Sequence, residues 1–127
     1  MKLFIDSDIL IWHLRGESRA LKFFKKLRSD KTCELWTGAM QRAEVVFFMR
    51  PGEEEATLLF LSRFKTANVD QAIVDAASRI YRKWHPEYGI DVNDALLAAT
   101  VLHSGGVLYT LNIKHYPMKD IAVQKAW

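Results

Sequence analysis

The sequence predicts an α/β domain in which helices cover both faces of a central, mainly parallel sheet. Short apolar runs alternate with longer amphipathic segments along the chain, a pattern that is typical of βαβ units. The first run, Leu3–Ile5, contains no polar residue, as expected of a strand that is buried on both faces. The chain has 127 residues without an internal repeat or linker, which predicts a single domain over residues 1–127.

Strands are predicted where short apolar runs are bounded by polar residues or glycine. In chain order, these runs are Leu3–Ile5, Glu34–Trp36, Ala67–Val69, Val107–Thr110 and Ile121–Val123. Helices are predicted where apolar side chains recur every three or four residues. In chain order, these segments are Ile9–Leu14, Glu17–Arg28, Thr37 to about Met49, Glu53–Phe64, Asp70 to about Trp84, and Asp91 or Asn93 to His103.

Capping and helix-breaking residues mark the ends of the later helices. Asp70 is a predicted N-cap, because its side chain can accept a hydrogen bond from a free backbone N–H of the first turn. His85-Pro86 and Gly89 predict the end of the helix that Asp70 begins. Gly105-Gly106 ends the next helix in the same way, just before a strand.

The composition limits the function classes. Lys and Arg number 18 against 15 Asp and Glu, a net charge of +3 that permits contact with nucleic acid without showing it. A single cysteine, Cys33, excludes an intramolecular disulfide and favours a reducing compartment. Asp6 and Asp8 interrupt any signal-peptide core, and no apolar stretch is long enough to span a membrane. These observations predict a cytoplasmic location.

Polar residues follow two predicted strands at the sheet edge where α/β proteins bind ligands. Asp6 comes directly after the first strand, and Asn112 lies just beyond the strand that ends at Thr110. In parallel sheets, ligands bind beyond the carboxyl ends of the strands, near the point where the strand order reverses. Both residues therefore fall where a site is expected, although Asp6 is equally well explained as a helix N-cap.

Two further acids border apolar helix faces. Glu44 lies one turn from Phe47, and Asp94 lies one turn from Leu97. Burying an unpaired carboxylate is costly, so such a group must be protonated, paired with a cation or bound to a metal ion. The alternatives are that the Glu44 carboxylate reaches water, and that Asp94, like its neighbour Asp91, favours the positive end of a helix.

Carboxylates drawn from separate segments indicate a metal site. Grouped carboxylates raise one another's pKa, so a stable cluster at neutral pH requires a hard cation. Oxygen ligands without a Cys or His pattern suit Mg²⁺ or Mn²⁺. Because carboxylate-held magnesium commonly acts on phosphates, its presence in a basic chain suggests phosphodiester chemistry.

Four segments resemble, in order, the motifs of the PIN-domain ribonucleases, specifically the VapC-type toxins of type II toxin–antitoxin systems. They are F-I-D-S-D-I-L-I with Asp6, Q-R-A-E-V with Glu44, I-D-V-N-D-A-L-L-A-A-T with Asp94, and G-V-L-Y-T-L-N-I-K-H-Y with Thr110 and Asn112. Each motif alone is weak evidence for the resemblance, but the four occur in the family's order and together cover essentially the whole chain. The resemblance implies a single PIN domain that cleaves RNA endonucleolytically with the help of a metal ion.

The resemblance also implies a role for each motif residue. Asp6 and Asp94 hold the principal Mg²⁺ or Mn²⁺, and Glu44 completes the site and orients the attacking water. Supporting residues, which orient carboxylates or contact phosphate, are Ser7, Thr110 and Asn112.

One position departs from the family pattern. Many members carry a fourth acid shortly after the T-x-N motif, where this chain has Lys114 and His115. Asp8 or Asp91 could supply the missing charge, or a single metal ion could be held until the RNA phosphate recruits a second. The number of metal ions therefore stays open.

A basic stripe predicts contact with the RNA backbone. Arg15, Arg19, Lys22 and Lys26 recur at helical spacing, although a solvated helix face explains most of them as well. Arg15 and Arg19 lie nearest to the first motif and are the predicted phosphate contacts. His115 is a further candidate, for which a surface or packing role is the better explanation.

The resemblance further implies a homodimer and inhibition by a cognate antitoxin protein. Two other functions stay open. Haloacid-dehalogenase-type phosphatases also begin with a strand and D-x-D, in which Asp6 would be the nucleophile, but Leu10 stands where they carry Thr or Val. A catalytically degenerate PIN domain that only binds partners is the second alternative, and the missing fourth acid is the feature that favours it.

Overall fold

The computed structural model describes all residues 1–127 and contains five strands, six α-helices and one short 3₁₀ helix. The strands are β1 (Lys2–Ile5), β2 (Glu34–Gly38), β3 (Lys65–Ala67), β4 (Val107–Thr110) and β5 (Ala122–Lys125). The helices are α1 (Ser7–Leu14), α2 (Ser18–Arg28), α3 (Ala39–Val46), α4 (Glu54–Leu61), α5 (Gln71–Tyr88) and α6 (Val92–Ser104), and the 3₁₀ helix covers Ile113–His115.

The five strands form one sheet in the order β3-β2-β1-β4-β5, and every neighbouring pair is parallel. The chain builds outward from β1 through β2 to β3, then returns to place β4 on the other side of β1. The strand order therefore reverses between β1 and β4, and their carboxyl ends form the crevice where such folds bind ligands. The predicted α/β class is confirmed, and the sheet is parallel throughout.

Two hydrophobic clusters hold helices on opposite faces of the sheet. In β1, Phe4 belongs to the cluster that includes Leu97 of α6, whereas Leu3 and Ile5 belong to the cluster that includes Phe24 of α2. Because successive side chains of a strand point to opposite faces, this division shows that β1 is covered on both sides. None of the helices combines the length and hydropathy needed to cross a bilayer.

Helix α5 extends past its predicted end. It continues through His85 and Pro86 to Tyr88, and it ends at Gly89, which adopts a left-handed conformation with φ 65°. A proline in the last turn removes only one intrahelical hydrogen bond, so packing overrides it. A ring nitrogen of His85, 2.7 Å from the carbonyl oxygen of Ile90, ties this end of the helix to the next segment.

The end of α3 and the start of β3 also differ from the prediction. Helix α3 ends at Val46 rather than near Met49, and the apolar residues that extended the pattern are exposed, with Phe47 and Phe48 at 79% and 78%. Strand β3 begins at Lys65 rather than Ala67, because parallel pairing with β2 places Lys65 opposite Trp36.

Candidate active site

Asp6 is buried where β1 meets α1, and both of its carboxylate oxygens accept hydrogen bonds. Only 8% of the residue is exposed. Oδ1 accepts the backbone N–H of Ser7 at 2.8 Å, while Oδ2 accepts the hydroxyls of Thr110 and Tyr116, each at 2.9 Å. Burial raises the pKa of Asp6, and these hydrogen bonds oppose the shift. Asp6 is therefore a helix N-cap and also a member of the acidic cluster, a name that we use for Asp6, Asp8, Glu44 and Asp94.

The buried hydroxyl of Tyr116 lies between two carboxylates from different elements. It is 2.9 Å from Oδ2 of Asp6 and 3.3 Å from Oδ1 of Asp94. A phenol carries a single hydrogen, so it donates fully to one acid, and the shorter distance favours Asp6. A proton on Asp94 would satisfy the second contact. Burial and the charge of Asp6 raise the pKa of Tyr116, which keeps this hydroxyl protonated as a donor.

Asp94 is fixed by the first turn of α6. It forms a reciprocal capping box with Asp91, in which each side chain accepts the other residue's backbone N–H, at 2.7 Å and 3.0 Å. Its Oδ2 also lies 3.0 Å from Nδ1 of His115. Burial raises the pKa of Asp94, and the charge of His115 acts in the opposite direction. Asp91 itself is exposed and engaged as the cap.

Glu44 approaches the cluster from α3 with a single hydrogen bond. The hydroxyl of Ser7 donates to its Oε2 at 3.3 Å. Partial burial raises the pKa of Glu44, and the charge of Asp6 adds to the shift, so the two carboxylates influence each other. Glu44 also lines an open cavity of about 760 Å³ together with Arg15.

Asp8, in the first turn of α1, connects this helix to the residue that follows β4. Its Oδ1 accepts the N–H of Ile9 at 2.7 Å, and its Oδ2 accepts the N–H of Leu111, just after β4, at 3.1 Å. Burial, followed by the charge of Asp6, raises the pKa of Asp8 to about 6. Asp8 thus lies in the cluster's electrostatic field and has a structural role between α1 and the end of β4.

The supporting residues differ in how they reach the cluster. The hydroxyl of Thr110 donates to Asp6 and accepts the backbone N–H of Asn112 at 3.0 Å. The side chain of Asn112 is exposed and forms no hydrogen bond within the protein. Arg15 is exposed beside the cavity of Glu44, whereas Arg19 pairs with Glu17 at 3.1 Å on the surface of α2.

Sequence reasoning missed the contribution of Tyr116. The residue lies within the last motif segment, but it follows the 3₁₀ helix Ile113–His115, and no periodic pattern predicts the direction of a side chain there. The one sequence signal for this role is that a hydroxyl-bearing aromatic residue directly follows Lys114 and His115, the positions at which many family members carry the fourth acid.

The donor chemistry of the cluster fits a hard divalent cation. The pKa values of Asp6, Asp8, Glu44 and Asp94 are all raised, first by burial, and His115 is the only basic side chain in hydrogen-bonding contact with any of them. In this arrangement, however, no three acidic, histidine or cysteine side chains lie close enough together to bind one metal ion. A metal ion would therefore have to draw the carboxylates together as it bound.

Comparison with known proteins gives consistent results. The family model described as PIN domain matches residues 3–120. Ribonuclease VapC19 of Mycobacterium tuberculosis (strain ATCC 25618 / H37Rv) is 33% identical over 119 residues, which cover 93% of this chain and 94% of that protein. Ribonuclease VapC10 of the same strain is 32% identical, covering 91% and 86%. A toxin-antitoxin complex from Klebsiella pneumoniae contains a chain with a TM-score of 0.79 and 22% identity, with 98% of both chains covered.

Proposed function

Because this chain belongs to the PIN domain family, we propose that it is an endoribonuclease that uses Mg²⁺ or Mn²⁺ and is the toxin of a toxin–antitoxin pair. One observation carries the proposal: Asp6, which directly follows β1, and Asp94 of α6 both lie within hydrogen-bonding distance of the hydroxyl of Tyr116. The carboxylates thus meet at the carboxyl ends of the strands, where the strand order reverses. The two ribonuclease relatives support RNA as the substrate.

The residues divide the chemistry between them. Asp6 and Asp94 would hold the metal ion, with Glu44 as the third carboxylate. A bound Mg²⁺ or Mn²⁺ would supply Lewis-acid stabilisation of charge on the scissile phosphate and the leaving oxygen. Glu44, whose pKa is raised by burial and by Asp6, is a better proton acceptor for the attacking water than an ordinary glutamate. Thr110 and Tyr116 hold Asp6 in one orientation throughout.

The toxin assignment rests on the relatives and on the fold. The neighbour from Klebsiella pneumoniae was solved as a toxin-antitoxin complex, and the shared fold supports an antitoxin protein as the partner of this chain. A homodimer is a further expectation that the family resemblance implies. Co-expression with the product of an adjacent short reading frame, followed by co-purification, tests the partnership.

A phosphatase mechanism fits the geometry less well. Phosphoryl transfer to Asp6 needs space for a whole phosphate at one carboxylate oxygen, but only 8% of the residue is exposed and Oδ2 already accepts two hydrogen bonds. Oδ1 accepts a single hydrogen bond and so keeps a lone pair for a metal ion. A phosphatase would form a beryllofluoride adduct at Asp6, and we expect none. A binding module without activity is disfavoured because Asp6, Glu44 and Asp94 are all present and electrostatically coupled.

Cleavage of a panel of tRNAs and mRNAs by the purified protein tests the proposal. We expect cleavage that requires Mg²⁺ or Mn²⁺, is stopped by EDTA, and falls by more than about 100-fold in Asp6→Asn and in Asp94→Asn, since loss of a ligand should exceed the loss caused by outer groups. Asp75→Asn, which changes an exposed acid on α5 that forms no side-chain hydrogen bond, is the matched control. Wild-type cleavage by both site variants, with circular dichroism unchanged, would refute the site.

A further inference from the structure

A groove between α2 and β5 is lined by basic and aromatic side chains. Its volume is about 410 Å³. The charged residues that line it are all cations, namely Arg19, Lys22, Lys26 and Lys125. We call this feature the basic groove. Because no acidic side chain lines it, the groove is complementary to a polyanion.

The other cavities lack this charge pattern. The cavity beside Glu44 pairs Arg15 and Arg50 with Glu44 and Glu53. The cavity on the opposite face of the sheet contains Asp120 together with its basic residues. A third cavity, beside α4, has only acids among its charged residues. Among these four cavities, uniform positive charge is therefore confined to the basic groove and is not a general result of the net charge of +3.

Aromatic rings lie among the cations. Trp127 and Tyr109 both contact Phe23 edge-on, with ring centroids 6.1 Å and 5.3 Å apart, so the three rings form one connected group. The guanidinium of Arg19 lies 5.9 Å from the Trp127 ring centroid. Rings among cations are the combination by which proteins bind single-stranded nucleic acid, because phosphates meet the charges while bases stack on the rings.

The basic groove lies at the same sheet edge as the acidic cluster. Tyr109 directly precedes Thr110, and its carbonyl oxygen accepts the N–H of Asp6 at 3.0 Å. Ala126, at the end of β5, donates its N–H to the carbonyl of Thr110 at 3.1 Å. Tyr109 faces the α2 side of the sheet, while the Thr110 side chain reaches Asp6. A strand of RNA leaving the acidic cluster over β4 would therefore enter the groove.

We propose that the basic groove binds single-stranded RNA beside the cleaved phosphodiester, with a base stacked on Trp127 and the backbone held by Lys22, Lys26 and Lys125. This inference rests on the proposed endoribonuclease function and identifies the form of RNA that it takes. Arg19 joins the contact by exchanging its exposed pairing with Glu17 for a phosphate, since such surface ion pairs are weak.

The contribution of charge is measured as the salt dependence of binding. In an Asp6→Asn background, which prevents cleavage, Lys22→Gln/Lys26→Gln is compared with Arg79→Gln/Lys83→Gln on α5. We expect the groove pair to lower the affinity for a labelled oligouridylate and to reduce the slope of log K against log salt by about 1.4, or about 0.7 for each phosphate contact. We expect the α5 pair, which has the same charge change, to leave the slope unchanged.

The contribution of stacking is measured with two matched tryptophans. Trp127→Leu removes the ring from the groove, and Trp84→Leu removes one from the opposite face, where Lys83 lies 5.0 Å from its centroid. We expect Trp127→Leu to weaken oligouridylate binding by about tenfold or more and Trp84→Leu to leave it unchanged. Thermal unfolding of both variants shows whether the fold is retained. If Trp127→Leu unfolds, Trp127→Phe is used in its place, because phenylalanine keeps an aromatic ring at this position. We then expect near-wild-type RNA affinity for Trp127→Phe, in contrast to the weakened affinity of Lys22→Gln/Lys26→Gln.

Two competitors separate the possible ligands. We expect single-stranded RNA to bind more tightly than a duplex of the same length, and polyglutamate to compete weakly. Stronger binding of polyglutamate than of RNA would overturn the proposal in favour of an acidic protein segment. Equal slopes of log K against log salt for Lys22→Gln/Lys26→Gln and for Arg79→Gln/Lys83→Gln would overturn it outright. If wild-type protein cleaves RNA while the groove variants bind normally, only this inference fails. If it cleaves no RNA, the proposed function fails.

Discussion

The two sides of the acidic cluster are held very differently. On one side, Asp6 and Asp94 are fixed by hydroxyl and backbone donors and share the buried Tyr116. On the other side, Glu44 is held by one hydrogen bond of 3.3 Å from Ser7 and borders an open cavity. Burial raises the pKa of all three carboxyls, and the charges of neighbouring acids add to the shift, but only the first two have their orientation determined by several neighbours.

This difference indicates a division of labour within the site. Groups that bind a metal ion gain from a fixed orientation, because fewer side-chain rotations are then lost when the ion draws the carboxylates together. A group that accepts a proton from water needs solvent access and a raised pKa, and Glu44 has both. The comparison can be tested by removing one support at a time from each side.

Tyr116→Phe should give the largest effect, because it removes the hydroxyl between Asp6 and Asp94. We expect Mn²⁺ affinity, measured by calorimetry, and RNA cleavage each to fall by about 10- to 100-fold, as is usual when a partner of a metal ligand is lost. Tyr81→Phe, whose hydroxyl forms no hydrogen bond, is the matched control. A Mn²⁺ affinity equal to that of the wild type would show that the hydroxyl does not position the carboxylates.

Asp8→Asn should change the pH dependence of stability in EDTA. The pKa of Asp8 is about 6 in the folded protein against 3.8 for the ordinary group, so between these values the folded state holds a proton that the unfolded state has released. Its contribution to stability is therefore full below pH about 3.8 and is lost as the pH rises through about 6. Over this pH range, the free energy of unfolding measured in urea should fall by about 1–2 kcal/mol more in the wild type than in Asp8→Asn, after allowance for solvent screening. Parallel pH profiles would contradict this.

Ser7→Ala should give the smallest effect, since it removes only the long hydrogen bond to Glu44. We expect RNA cleavage to fall about twofold to threefold, corresponding to about 0.5 kcal/mol, with Mn²⁺ affinity nearly unchanged. Ser104→Ala, which removes a hydroxyl at the far end of α6, is the control. A loss as large as that in Tyr116→Phe would mean that Glu44 is held as tightly as the other two acids.

The sequence predicted the acids but not what holds them. Asp6 could be placed because a strand without polar residues, followed directly by a carboxylate, must deliver it to the end of a buried strand. Glu44 and Asp94 could be placed because they border apolar helix faces. Tyr116 and the His115 contact to Asp94 could not, because these residues lie at the end of the 3₁₀ helix Ile113–His115 or directly after it, where no periodic pattern predicts the direction of a side chain.

Local sequence therefore determined the class of fold, the parallel strands and the identity of the acidic residues, because periodicity and capping act over a few neighbouring positions. Tertiary structure alone decided the geometry that joins them. It placed one tyrosine hydroxyl between acids that are distant along the chain, made Asp8 a link between α1 and the end of β4, and brought Trp127 beside Arg19 of α2. These contacts depend on strand order and side-chain packing, and neither has a signature within a short stretch of sequence.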